Sequence, residues 1–282
     1  MCSGEPDGPI CMITLALAIS GVIMLLTVSN WRAGLLSILL IGVLQDVFRK
    51  LIYGAPAYFV LWSTALYGLV VLAALMQRGL PPPLANLSLR DRGLRLLLVA
   101  FLSLVALQCI NAIVRFGSPA VAILGALFYV GPFVAMLVAV GFFDSEARMR
   151  RFLTTYLVVF IPTCLTVFLS PSLSADFPVL RDVGFFIGQE MVIYDIGTRL
   201  ASHPGLLRVG EFAAWHAATC IAFLSILTLV SRQTLARVVY AILMVAMVGV
   251  IILTGRRKML AAITIFFAIQ WGLLLWYSFG IH

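Results

Sequence analysis

Nine apolar runs recur along this chain, most of them near the roughly 20 residues an α-helix needs to cross a bilayer. They cover 10–28, 34–48, 57–76, 95–114, 119–142, 152–171, 211–230, 237–253 and 259–279. Lipid offers no partner to a backbone N–H or C=O, so each run must satisfy its own and is expected to be helical. With 63% hydrophobic and 11% charged residues and a mean hydropathy of +1.12, an ordinary soluble domain is excluded. The expected fold class is all-α, a polytopic membrane protein of about nine transmembrane helices. It is expected to form one membrane domain over 1–282, with a long extracytoplasmic loop at 172–210.

The ends of the runs carry further information. The first begins at Ile10, after Glu5 and Asp7 and without a basic segment, so it reads as a retained span rather than a secretory signal. Cys2, Cys11, Cys109, Cys164 and Cys220 show no CxxC spacing, which points to small core residues rather than a disulfide or metal framework. No metal and no cofactor are expected. The net charge of +8 gathers at span ends, where membrane orientation explains it better than nucleic acid does. Trp31, Trp62, Trp271 and Trp276 suit interfacial anchoring. Pro81-Pro82-Pro83 reads as a stiff turn, and no internal repeat of the kind found in many transporters is visible.

Lys and Arg set the orientation. One set of alternate short connections holds Arg32, Arg78, Arg90, Arg92, Arg95, Arg148, Arg150, Arg151, Arg232 and Arg237. The opposite set holds Arg49, Lys50, Arg115, Arg256, Arg257 and Lys258. The richer side is expected to be cytoplasmic, which puts the N-terminus and the long loop outside. Orientation then leaves Arg49-Lys50 and Arg256-Arg257-Lys258 unexplained, on the same side as Arg199 and Arg208. An anionic ligand at that surface accounts for them; a span miscounted by one is the plain alternative.

The long interval from Ser172 to Trp215 holds five of the eleven carboxylates, Asp176, Asp182, Glu190, Asp195 and Glu211. Polar groups concentrated in one connection suggest a working surface, though a solvated loop fits equally well. Thr254 is a candidate N-cap for the last helix, whose first turn would then carry three cations against the helix dipole. Such a helix start reinforced by arginine seats phosphate oxygens well; a snorkelling basic anchor is the simpler reading. Asp46 stands three and four residues before Arg49 and Lys50, which suits a local ion pair or, alternatively, support beside a bound anion. Glu211 favours the dipole at its helix start, and His216 lies about 140° around the same helix, so the two do not stack. His216 reads as packed among other spans, whereas His203 in the loop is the freer candidate for proton transfer.

Three stretches carry a resemblance. They are Leu44-Gln45-Asp46-Val47-Phe48-Arg49-Lys50 with Gly54, Ala55 and Pro56; Arg199 followed by Gly210 within Ser202-His203-Pro204-Gly205 and Arg208-Val209-Gly210-Glu211; and Leu253-Thr254-Gly255-Arg256-Arg257-Lys258. In order and spacing they resemble the bacterial O-antigen ligase and polymerase superfamily, close to its exopolysaccharide-polymerase members. Arg256 stands where serine is usual in the family. The resemblance implies a glycosyltransferase of the bacterial inner membrane that moves saccharide units from a polyprenyl-pyrophosphate donor at the outer face. It implies Arg199 and Arg257 as catalytic cations and Arg49, Lys50, Arg208, Arg256 and Lys258 as substrate-binding; the family places its functional histidine in a later loop, and within this chain His203 and Glu211 are the candidates for the base. The implied partners are the lipid-linked saccharide, membrane lipids and other polysaccharide assembly proteins, with no nucleic acid. Such proteins continue into a further loop and more spans, so these 282 residues are expected not to complete catalysis alone. A flippase for lipid-linked saccharide, or a non-catalytic subunit of a synthesis complex, are the competing classes.

Overall fold

The computed structural model describes residues 8–52, 56–78, 92–188, 192–195 and 198–278. Gly54, Ala55, the Pro81-Pro82-Pro83 connection, Arg90, Glu190 and His282 lie outside the described residues, as do the side chains of Arg78, Arg92, Arg95 and Arg199. Nine long helices are present among the described residues: α1 (Gly8–Ser29), α2 (Trp31–Leu51), α3 (Trp62–Arg78), α4 (Arg92–Phe116), α5 (Pro119–Phe142), α6 (Glu146–Leu165), α7 (Gly210–Val230), α8 (Thr234–Leu253) and α9 (Arg257–Ser278). Eight are long and apolar enough to cross a membrane, and α5 carries a shorter apolar stretch, Pro119–Ala135. The chain is an all-α, multi-pass membrane protein.

Helix ends are set by polar chemistry rather than by hydropathy. Asn30 caps α2, its Oδ1 accepting the N–H groups of Arg32 at 3.1 Å and Ala33 at 3.4 Å, so the helix starts before its apolar run does. Likewise α6 starts at Glu146, where Ser145 Oγ accepts the Arg148 N–H at 3.4 Å and the Glu146 carboxylate favours the dipole. Between α6 and α7 the chain makes short helical turns at Ser170–Leu173 and Val183–Phe186, then a small hairpin. Its strands, β1 (Val192–Asp195) and β2 (Thr198–Ala201), pair antiparallel with Tyr194 opposite Arg199.

Tertiary contacts group the chain into two compact units, 1–68 with 150–282, and 69–149. In the second, α4 and α5 form a hairpin whose turn uses Gly117 at φ 63°, a left-handed position suited to glycine. A cavity of about 180 Å³ opens beside this helix pair, lined by Val105, Gln108, Cys109, Ala122 and Tyr129 among others.

The first unit is built around α7. Its Ala213, Ala214, Ala217 and Cys220 are wholly buried, and small side chains of this kind let neighbouring helices approach closely. Phe160 and Cys164 of α6, Met247, Val250 and Ile251 of α8, and Val43 of α2 complete that core. Trp31 is buried and Trp62 donates from Nε1 to Ser20 Oγ at 2.7 Å, so these two pack the interior rather than anchor the surface. Trp271 and Trp276 are exposed, as are Leu17, Leu25, Leu235 and Ile242, a surface suited to lipid.

Candidate functional site

The polar end of α2, the loop before α7 and the starts of α7 and α9 gather in the first unit. Lys50 is 3% exposed, and its Nζ donates to the carbonyl oxygens of Val179 at 3.0 Å, Gly205 at 2.9 Å and Leu207 at 2.6 Å. An ammonium has three donors, so all of Lys50 is engaged in holding the loop. The substrate-binding role expected for Lys50 gives way to a structural one on this geometry. Asp46, one turn earlier, accepts the Arg208 N–H at 3.0 Å. Arg49 and Lys50 of its own helix act on it electrostatically, as the spacing suggests, and the hydrogen bond adds a partner 162 residues away.

The loop seats on the turn after α6 as closely as on α2. Gly205 lies at φ 61°, and a Cβ there would come within 2.3 Å of Thr166 Oγ1 and 2.9 Å of the Val167 nitrogen. Its N–H donates to Ser170 Oγ at 3.1 Å, and the Leu206 N–H donates to Thr166 Oγ1 at 2.9 Å. Only glycine satisfies both the left-handed backbone and the close approach. Pro204 beside it is buried, and His203 is half-buried, with burial holding its imidazole below the usual range.

Arg208 is then presented by a fixed backbone. Its side chain is 16% exposed and its guanidinium lies 3.8 Å from the Phe212 ring centroid. Nε is 3.7 Å from Asp46 Oδ1, close enough for attraction but too long for a hydrogen bond. Burial pushes its pKa down, the Asp46 carboxylate opposes that fall, and Arg49 adds to it.

At the start of α7, Glu211 forms an ion pair with Lys258 in the first turn of α9, joining the two helix ends. The residue expected as a base and one expected to bind substrate therefore hold each other. Arg256 acts electrostatically on Glu211, and its Nε is buried with no hydrogen-bond partner among the described residues. Arg257 opens α9 and is exposed, while Arg49 is half-buried beside Asp46 and Arg208. The side chain of Arg199 lies outside the described residues, although its backbone sits in β2.

Two expectations are corrected here. Thr254 does not cap α9: its hydroxyl donates back to the Ile251 carbonyl at 2.7 Å, and with Gly255 at φ 68° it closes α8 instead. His216 is more than packing. Tyr156 of α6 hydrogen-bonds its Nδ1 at 2.7 Å, and its ring stacks on Phe160 at 3.9 Å and 13°. Nothing in the spacing of Tyr156 and His216 marks that pair, because 60 residues and a loop separate them. A close approach at Gly210, where a Cβ would lie 2.2 Å from Ser202 Oγ and 3.5 Å from Thr254 Cβ, brings the loop, α7 and the end of α8 together.

Among the described residues no group of three or more His, Cys, Asp or Glu is placed to hold a metal ion. What the fold and site define is a multi-pass helical membrane protein with a basic cluster where helix ends meet. No family model, curated protein or solved structure matches the chain.

Proposed function

We propose that this protein transfers saccharide units from a polyprenyl-pyrophosphate donor at the outer face of a bacterial inner membrane, as a polysaccharide polymerase or ligase. The observation that carries the reading is the cluster at the ends of α2, α7 and α9. Arg49, Arg208, Arg256, Arg257 and Lys258 stand there against two carboxylates, Asp46 and Glu211. The guanidinium Nε atoms of Arg208 and Arg256 are buried and lack a hydrogen-bond acceptor among the described residues. A buried donor left unmet costs about 1–3 kcal/mol, and a pyrophosphate would meet both with charge-assisted bonds. Arginine stabilises charge on the leaving phosphate through its planar fork as the sugar–oxygen bond breaks. The sequence resemblance supplies the sugar and the lipid.

In the mechanism, Arg208 and Arg256 hold the pyrophosphate and Arg257 reaches it from outside the cluster. Lys258 and Glu211 tie α9 to α7, and Lys50 with Asp46 holds Arg208 in place. The test uses membranes that hold the full chain together with the polysaccharide assembly proteins it is expected to work with, supplied with polyprenyl-pyrophosphate-linked saccharide. Arg208→Gln and Arg256→Gln are each expected to lower transfer by roughly one to two decades, the equivalent of about 1.5–3 kcal/mol. Undiminished product from both variants would remove the catalytic reading. Binding and translocation of the lipid without transfer would make the protein a flippase using the same cluster.

A further inference from the structure

Beyond Leu165 the chain of α6 stays helical in short pieces. A 3-10 turn at Thr166–Phe168 leads into Ser170–Leu173, and the Phe177 N–H then closes a last turn on the Leu173 carbonyl at 2.9 Å. The two sides of this stretch are reversed relative to a segment that lies in water. Its inward side is polar. Ser170 is 1% exposed, and its hydroxyl donates to the Leu180 carbonyl at 3.3 Å and accepts the Gly205 N–H at 3.1 Å. One turn on, the Ser174 carbonyl accepts from Arg181 Nε at 2.7 Å. Its outward side is apolar. Leu169 and Phe177 are exposed there, with half-buried Leu173 between them at four-residue spacing.

The turn at Val183–Phe186 repeats the pattern. Val183 is buried and its N–H donates to the Arg208 carbonyl at 2.8 Å, while Phe185 and Ile187 are exposed. Phe168 sets the depth. Its ring comes within 3.0 Å of the position that a Gly249 Cβ would take. Gly249 shares one face of α8 with Val245 and Ile252, both exposed, so Phe168 covers a stripe of a membrane-spanning helix that meets lipid. The far part of the segment is held at a helix end too, because Lys50 in the last turn of α2 binds the Val179 carbonyl.

We propose that the segment from Phe168 to Ile187 lies in the membrane interface and that a phospholipid surface is the partner of its exposed apolar side chains. An inside-out arrangement is what lipid surroundings select, and an exposed apolar patch at helix-end depth is what a monotopic segment presents. Arg181 suits that depth, since its guanidinium lies 4.2 Å from the Phe185 ring centroid and a long cationic side chain keeps its stem in the apolar layer and its charge among headgroups. Asp176, exposed beside Phe177, marks the water side of the segment. The bond from Val183 to the Arg208 backbone then fixes Arg208 at the level of lipid phosphates, so the basic cluster is reached from the leaflet. The proposal stands on the fold and does not require saccharide transfer.

Two measurements on the full chain in liposomes of phosphatidylethanolamine and phosphatidylglycerol test this. The first uses the unaltered protein and a phospholipid that carries a photoactivatable diazirine near its glycerol backbone. Adducts located by mass spectrometry should fall within 168–177 and 183–187, at yields within a few-fold of the peptide that holds lipid-facing Ile252. No adduct between 168 and 187 in a sample labelled at that reference peptide overturns the proposal. The second places p-benzoylphenylalanine at position 177 or 185, where an exposed aromatic ring already stands. Illumination should join either position to phospholipid. Adducts to a second copy of the chain in liposomes, or to another polypeptide in cell membranes, in place of phospholipid would show a protein partner and overturn it. Both results leave the transfer reading to the Arg208 and Arg256 variants, so the two can fail separately.

Discussion

At Lys50 one ammonium meets three carbonyl oxygens, and those of Gly205 and Leu207 are buried and would lose this donor if the ammonium were removed. Each such loss costs about 1–3 kcal/mol. Lys50→Met, which keeps the stem and deletes the charge, is therefore expected to destabilise the protein by roughly 3 kcal/mol or more. Lys258→Met breaks only a half-exposed ion pair with Glu211 and should stay within about 1 kcal/mol. Thermal denaturation of the two variants side by side in detergent decides it, and equal stability would mean that Lys50 is not the clamp. His203 offers a pH test. Its folded pKa is depressed by burial below the ordinary value of about 6.5, so the unfolded chain takes the proton first as pH falls. Stability at this site is present above about pH 6.5 and lost on the acid side. His203→Gln should flatten the fall in thermal stability between neutral and mildly acid pH, and an unchanged profile would count against it. Both lysines read alike in the sequence, because charge and span-end position are the same; only the partner brought by the fold separates them.

Among elements, the loop segment around Gly205 is the joint on which the cluster depends. Gly205→Ala places a Cβ in a left-handed backbone and within 2.3 Å of Thr166 Oγ1. The backbone penalty alone is about 1–2 kcal/mol, and the clash adds to it. Pairing it with Thr166→Ala should relieve the clash and not the backbone penalty, giving partial recovery of stability in the same denaturation assay. Full recovery would show that the left-handed conformation is not required. The helices themselves were legible, since lipid leaves an apolar run of this length no other backbone solution. Their ends were less so. Asn30 and Ser145 start α2 and α6 ahead of the apolar runs through hydrogen bonds that hydropathy does not register. Thr254 misled for a related reason: a threonine before a basic run looks like a cap, but Gly255 makes it the end of α8. The cations of the cluster were legible as a set, while their division into clamp, pair and unmet donor was not, because that depends on which carbonyls and carboxylates lie opposite.

For the whole molecule, the proposed orientation follows from ten Lys and Arg in one set of short connections against six in the other. An alkaline phosphatase reporter fused after Ser174 should be active and one fused after Pro83 inactive. The reverse pattern would place the basic cluster on the cytoplasmic side and remove the outer-face reading with it.

The clamp at Lys50 also orders events during synthesis. Val179, Gly205 and Leu207 lie 129, 155 and 157 residues further along the chain than the lysine they hold. At ribosomal rates of about 5–20 residues per second, Lys50 leaves the exit tunnel on the order of ten seconds before its last acceptor is made. Throughout that interval the ammonium has none of these three acceptors, so the contact that ties the end of α2 to the loop can form only once the loop has been made.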